Sequence, residues 1–373
     1  MSVDLIEAAE GVHELVEAHA DKAEQGRRLP KRLVQALRDA QLFRMCVPAV
    51  YGGPEADPLT LVRAVETVAT ADGAAGWCTM IASTTSSMSL FMEPEWAQRI
   101  FGDAKSITGG VYAPNGRAVT DGDGWRVTGR WPWGSGTQHC NWITGGTTTD
   151  DGQFHLMFME ATDVSIHDTW YSSGLRGSGS NDFSVDGAHV PRGRTVQPLI
   201  GHRQVDCALA RFPNFSLLAA GVAAVSLGVA RHAIDEFTEL GQGKKPLFSS
   251  QTVSQSGSAQ ADLARAEATL RSARAFLHDE LGRAWGTVQS GDRVDVRTRG
   301  RIRLACVHAA EAAAKATDVA YTLGGGTSVY ESSPLQRCLR DVHVTTQHMM
   351  VAPRMYETLG KVFFGHDIDS STL

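Results

Sequence analysis

The sequence supplies no cross-link framework, no excess of positive charge and no uninterrupted hydrophobic run. Its six cysteines (Cys46, Cys78, Cys140, Cys207, Cys306 and Cys338) are scattered without a CxxC pair, so they fit reduced core thiols better than disulfides or a zinc site, and no metal is expected. With 35 basic and 41 acidic side chains the net charge is −6, which leaves no basic stripe for nucleic acid. No run reaches about 18 apolar residues free of charge, so no membrane span is expected. The opening MSVDLIEAAEGVHELVEAHA has neither a positive n-region nor an apolar h-region, so no signal peptide is expected either. A G-x-G-x-x-G following a strand is also missing, which argues against NAD(P)H. These absences describe a cytoplasmic, soluble protein whose 373 residues suffice for two or three structural layers.

What is present divides by period. From Val3 to Ala104 apolar residues recur at helical spacing: Leu5, Val12, Leu15 and Val16, then Leu33, Val34 and Leu37, then Leu59, Val62, Val65 and Val68, with Asp57 placed to cap and Pro58 at the first helical position. A small-residue helix follows from Ala74 through Trp77 to Leu90. Its Ser83, Ser86 and Ser87 either line a pocket or, as buried hydroxyls more often do, bond back to their own backbone. Between Ser106 and Thr195 Gly/Asp turns (DGDG at 121–124, TTTDDG at 147–152, DG at 186–187) separate short β-rich runs. Helical period then returns in four segments, about 209–240, 259–285, 296–323 and the final stretch, which read as a four-helix bundle. The expected fold is mainly α with an inserted β-domain: an N-terminal helical domain over 1–105, a middle β-barrel or sandwich over 106–204, and a C-terminal four-helix bundle over 205–373.

Three stretches carry residues suited to chemistry. LGGGTSVYESSPLQRCLRDVHVTTQHMM, from Leu323, opens on glycines (Gly324, Gly325) that permit close backbone approach and runs into a segment bearing Arg337, Arg340, Asp341, His343 and His348. The alternatives are a plain helix terminus and a solvated charged face. GRWPWGSG places Trp133 and Ser135 among glycines, either as a hydrophobic clamp or as a ligand-facing pair. SGLRGSGSND offers Arg176, Ser178 and backbone amides that can hold an anion or shape a site. Asn115, in NG, is a weaker candidate whose favoured reading is a turn.

The order of the C-terminal pieces, GGG, SPLQR, RD and QH, resembles the signature of the acyl-CoA dehydrogenase superfamily. GRWPWGSG and GLRGSGSND are similar to its flavin-facing segments. The resemblance covers essentially the whole chain and implies that Trp133 and Ser135 face the flavin ring, and that Asn115, Arg176, Ser178, Gly324 and Gly325 help hold the cofactor. The dehydrogenases need a carboxylate to remove an α-proton. The two family positions for it are Met349, eight residues after Asp341, and a place near Leu218, and neither is acidic. The R-x-x-F-G motif is replaced by GKKPLFSSQ. These departures resemble the flavin-dependent monooxygenases of the same fold, the oxygenase halves of two-component systems. That branch implies reduced FAD or FMN as co-substrate, O2, a C4a-hydroperoxide, a small organic substrate, a separate flavin reductase and a homotetramer. It makes His348 and Ser135 the catalytic candidates. The alternative is a dehydrogenase acting on an acyl thioester.

Overall fold

The computed structural model describes residues 3–198, 202–371 and 373. The N-terminal helices are short, Leu5–Gly11, His13–Glu17, Ala20–Gly26 and Lys31–Asp39, and lead to the longer Pro58–Ala71 and Gly73–Ser86. Asp57 caps the first of these two through the amides of Leu59 and Thr60, with Pro58 in the first turn, as expected. Asp72 caps the second through Ala75.

The central residues form one seven-stranded mixed sheet. Its strands are β1 (Thr108–Asp121), β2 (Gly124–Gly134), β3 (Trp142–Thr149), β4 (Phe154–Glu160), β5 (Ser165–His167), β6 (Asn181–Pro191) and β7 (Thr195–Val196). The order is β5-β6-β2-β1-β3-β4-β7, so β5 and β7 are free edges and no second sheet or closed barrel is formed by the described residues. β1 and β3 are parallel and the other pairs antiparallel. The DGDG and TTTDDG turns join β1 to β2 and β3 to β4. Asp186–Gly187 is not a chain reversal: Gly187, at φ +71, lies inside β6 where its register against β2 slips.

Three long helices, Asn214–Gly243, Gly257–Gln289 and Val296–Gly324, build the bundle. The expected fourth is broken into Pro334–Thr345 and Met355–Phe364. The Asn214–Gly243 helix corrects the expectation about hydrophobic runs, since by length and composition it is apolar enough to cross a membrane. Of its most apolar window, 89% is buried against protein, so here it is the core helix of the bundle. The six cysteines are unpaired, and all but Cys207 are buried.

Candidate functional site

The site is built where β2 leaves the sheet. Trp131 is fully buried, stacks on Phe183 at 5.1 Å and donates from Nε1 to the Gly146 carbonyl at 2.7 Å. A Cβ on Gly116, Gly129 or Gly145 would strike its ring, so three strands are glycine where the indole lies against them. Two residues on, strict alternation would put Trp133 on the same face. Instead the β2–β6 register shifts between Trp131 and Gly134, and Trp133 takes φ +65, a left-handed conformation rare for a bulky residue. The turn leaves the Trp133 indole 69% exposed. Backbone strain that exposes an aromatic face is a functional signal. Beside it a cavity of ≈ 180 Å³ is lined by Trp133, Thr169, Trp170, Tyr171, Ser172, Ser180 and Asp182.

Ser135 follows in the same turn and points inward. Its Oγ accepts from Trp77 Nε1 at 2.9 Å and meets Ser180 Oγ at 2.7 Å. The direction of this chain is fixed by its far end. Ser178 spends its single proton on the Leu175 carbonyl at 2.7 Å, so Ser180 must donate to Ser178, and Ser135 must donate to Ser180. Protons therefore run Trp77, Ser135, Ser180, Ser178, Leu175, and Ser135 has only a lone pair left for any ligand. The Gly136 amide donates to the Ser178 carbonyl at 2.9 Å and locks the two glycine-rich loops together.

Trp77 also contacts His348, edge to face at 5.5 Å. His348 is in the break between the last two helices, not on a helix face. Its Nδ1 accepts from the Met350 amide at 3.3 Å, which puts the neutral ring's proton on Nε2. Burial, then the charge of Arg303, pushes its pKa down to about 4, so the imidazole is neutral at physiological pH. His343 is exposed and paired with Asp318 at 2.8 Å. A second wall comes from Tyr112 and Phe215, ring to ring at 5.7 Å, with the Tyr112 hydroxyl 3.3 Å from both Asn214 Oδ1 and Met88 Sδ. Burial raises the Tyr112 pKa, which keeps the phenol protonated.

The other sequence candidates scatter. Asn115 is exposed and lies in β1 just beyond the β1–β2 ladder, where the β1–β3 register shifts, so the turn reading is corrected to an irregular strand. Arg176 is half-buried, and its Nε has no partner among the described residues. Ser178 is buried in the relay. Gly324 and Gly325 end the Val296–Gly324 helix, where Lys244 donates from Nζ to the Gly324 carbonyl and to Thr327 Oγ1. Ser86 and Ser87 bond back to their own helix, whereas Ser83 donates to the Leu42 carbonyl at 2.7 Å. Sequence reasoning did not assign Trp77, Tyr112 or Arg303 to the site. The signal for Arg303 was present: it shares a helical stripe with Cys306, Ala310 and Thr317, an arginine on an otherwise apolar face.

An exposed aromatic face, a cavity at its edge and the unpartnered Arg176 Nε fit a planar, hydrogen-bonding cofactor. The comparisons agree. The profile of the acyl-CoA dehydrogenase N-terminal domain matches residues 6–100 and that of the C-terminal domain residues 220–353. The chain is 31% identical over 345 residues to the indole-3-acetate monooxygenase of Pseudomonas putida, covering 91% of this chain and 88% of that protein. It is 27% identical to the oxygenase subunit HsaA, a flavin-dependent monooxygenase of Rhodococcus jostii, over 93% and 94% of the two chains. The crystal structure of 3-HSA hydroxylase from Rhodococcus sp. RHA1 superposes with a TM-score of 0.91 at 26% identity, covering 99% of each chain. The chain belongs to the acyl-CoA dehydrogenase family. Within it, this protein is an oxidoreductase of the two-component flavin-dependent monooxygenase branch, and its cofactor is FAD or FMN.

Proposed function

We propose that the chain is an oxygenase component that places one atom of O2 on a small aromatic or heteroatom-bearing substrate. Reduced flavin comes from a separate flavin reductase, and the second oxygen atom leaves as water. The reduced flavin, when bound, supplies the electrons and the activation of oxygen. Trp133 is the aromatic platform for the ring, and Arg176 with the adjoining loop backbone holds polar parts of the cofactor. Ser135, its proton committed to Ser180, offers a lone pair and fixes Trp77. Trp77, Tyr112 and Phe215 exclude water. The neutral His348 holds a proton on Nε2 to give to, or exchange with, the substrate heteroatom. The reading rests most on the strained, exposed Trp133 set beside Ser135.

We also assign the chain three domains, 1–105, 106–204 and 205–373, a cytoplasmic location and a homotetrameric assembly. In the tetramer Gly324 and Gly325 serve the cofactor of a neighbouring subunit. Arg303 and Gly324 are on one helix, 21 residues and roughly 30 Å apart at its ordinary rise.

The test supplies photoreduced FMN or FAD, ¹⁸O2 and aromatic acids, with indole-3-acetate first because a relative is named for it. One ¹⁸O atom per product is expected. Acyl-CoA thioesters should not bleach oxidised flavin, because Met349, 50% exposed, and Leu218 occupy the two positions for the base, and a positioned base contributes roughly 10²–10⁴-fold. Rapid bleaching without ¹⁸O incorporation would overturn the oxygenase reading.

A further inference from the structure

Arg303 is a permanent positive charge enclosed in the bundle with no carboxylate partner among the described residues. It is 1% exposed. Nη1 donates to the Phe215 carbonyl at 3.2 Å and lies 3.0 Å from Met350 Sδ, while Nε is buried without a partner among the described residues. Arg299, on the same helix, also has a buried Nε without a partner among the described residues and donates to the Ser370 carbonyl, but other arginines of the bundle are paired. Arg274 is paired with Glu66, Arg301 with Glu280, and Arg231 with Glu267 and Asp235. Among the described residues the one anion-forming group acting on Arg303 is the Cys306 thiol, which burial pushes up to about 12 and so keeps neutral. A desolvated guanidinium without a counter-ion is costly, and a protein that retains one needs an anion from elsewhere.

Its neighbours tie that missing anion to the site. Met350, which touches Arg303 through sulfur, holds His348 Nδ1 through its amide. Phe215, whose carbonyl Arg303 engages, packs its ring on Tyr112. The charge thus lies behind both the His348 segment and the Tyr112–Phe215 wall, and no acidic side chain of the described residues answers it.

We propose that Arg303 is the carboxylate subsite of the substrate pocket, so that the natural substrate is a small aromatic acid bound as its anion. The inference rests on the oxygenase reading above. A guanidinium presents a planar fork of donors matched to two carboxylate oxygens, and Nε, idle in the free protein, supplies one of them.

The experiment titrates the anaerobic chain carrying reduced FMN or FAD with matched pairs: indole-3-acetate against indole-3-acetamide, and phenylacetate against phenylacetamide. At least one acid should bind the wild type roughly tenfold to a hundredfold more tightly than its amide, the range of a charge-assisted hydrogen bond. Arg303→Gln should bring that ratio near one while amide affinity changes by less than about twofold, and Arg303→Lys should keep part of the preference. Equal binding of acid and amide by the wild type overturns the proposal without recourse to any variant. So does a preference that survives Arg303→Gln. A variant that keeps the preference but loses reduced flavin would assign the arginine to the anionic reduced cofactor instead. Failure of ¹⁸O incorporation with the acid preference intact would sink the oxygenase reading and not the subsite.

Discussion

At the scale of single residues, the site is a one-way hydrogen-bond relay that the sequence shows only in part. GRWPWGSG marks Trp133 and Ser135, and GLRGSGSND marks Ser178 and Ser180. Nothing in spacing says that Trp77, 58 residues upstream of Ser135, supplies the proton at one end. Ser135→Ala strands the Trp77 N–H and removes the proton that Ser180 accepts, so we expect stability to fall by about 1–3 kcal/mol in urea unfolding and more of the reduced flavin to yield hydrogen peroxide instead of product. Unchanged stability and unchanged product yield would reduce Ser135 to a turn residue. His348 gives a pH prediction. Its folded pKa of about 4 lies below the unfolded value of roughly 6.5, so the unfolded chain binds the proton first. The stability His348 contributes is complete above about pH 6.5 and is lost as pH falls toward 4. His348→Gln should flatten the melting temperature across that window and cut product yield at pH 7.5, with reduced-flavin binding intact. A variant with normal yield would remove His348 from the chemistry.

At the scale of elements, the C-terminal stretch positions loops instead of presenting a face. Asp341 Oδ1 accepts from the Leu175 amide at 2.6 Å, and Arg340 donates to the Ser173 carbonyl at 2.6 Å and to Glu24 at 2.6 Å. The Arg-Asp pair thereby fixes the loop from which Ser178 and Ser180 extend the relay. Periodicity located this segment correctly as helical but could not see its break at Thr346–Arg354. The residues there, TQHMMVAPR, contain a single proline and no glycine, and the interruption is set by packing around Met350 and Val351, both buried. The same loop attachment has a titratable core. Burial pushes Asp72 up to about 6, and burial followed by the charge of Asp72 pushes Asp341 up to about 7. Against an unfolded value of roughly 3.9, the folded chain holds the extra proton. The stability from these acids is therefore complete below about pH 4 and is lost as pH rises toward 7. Asp341→Asn keeps an oxygen for the Leu175 amide and removes the charge, so its melting temperature should gain on the wild type from about pH 4 to about pH 7 and level off above. A constant difference over that range would show that the pair does not titrate there.

At the scale of the whole molecule, layer order was legible because hydrophobic period changes twice along the chain, from 3.6 to 2 and back. The sheet's open topology was not, since strand order depends on which edges meet and leaves no trace in local period. Association is the last property read from pattern. The GKKPLFSSQ loop between the first two long bundle helices carries Phe248, at φ +64 and 99% exposed, beside an exposed Leu247. Val329, Tyr330 and Phe364 are exposed large side chains as well. Leu247 and Phe248 follow Lys244, whose ammonium binds the Gly324 carbonyl and Thr327 and so ties the start of the apolar loop to the glycine turn. In the proposed tetramer this solvent-facing apolar tip, held in a left-handed conformation, would be an anchor seated in another copy of the chain. Light scattering at micromolar concentration should give four times the mass of 40.1 kDa. Phe248→Asp, which changes no contact within the protomer, should shift that mass to dimer or monomer and weaken flavin binding by roughly tenfold or more, about 1.4 kcal/mol, because the glycine turns then have no neighbour to serve. A tetramer that survives Phe248→Asp with its flavin affinity unchanged would take this loop out of the interface, and a wild-type monomer would remove the shared flavin site altogether.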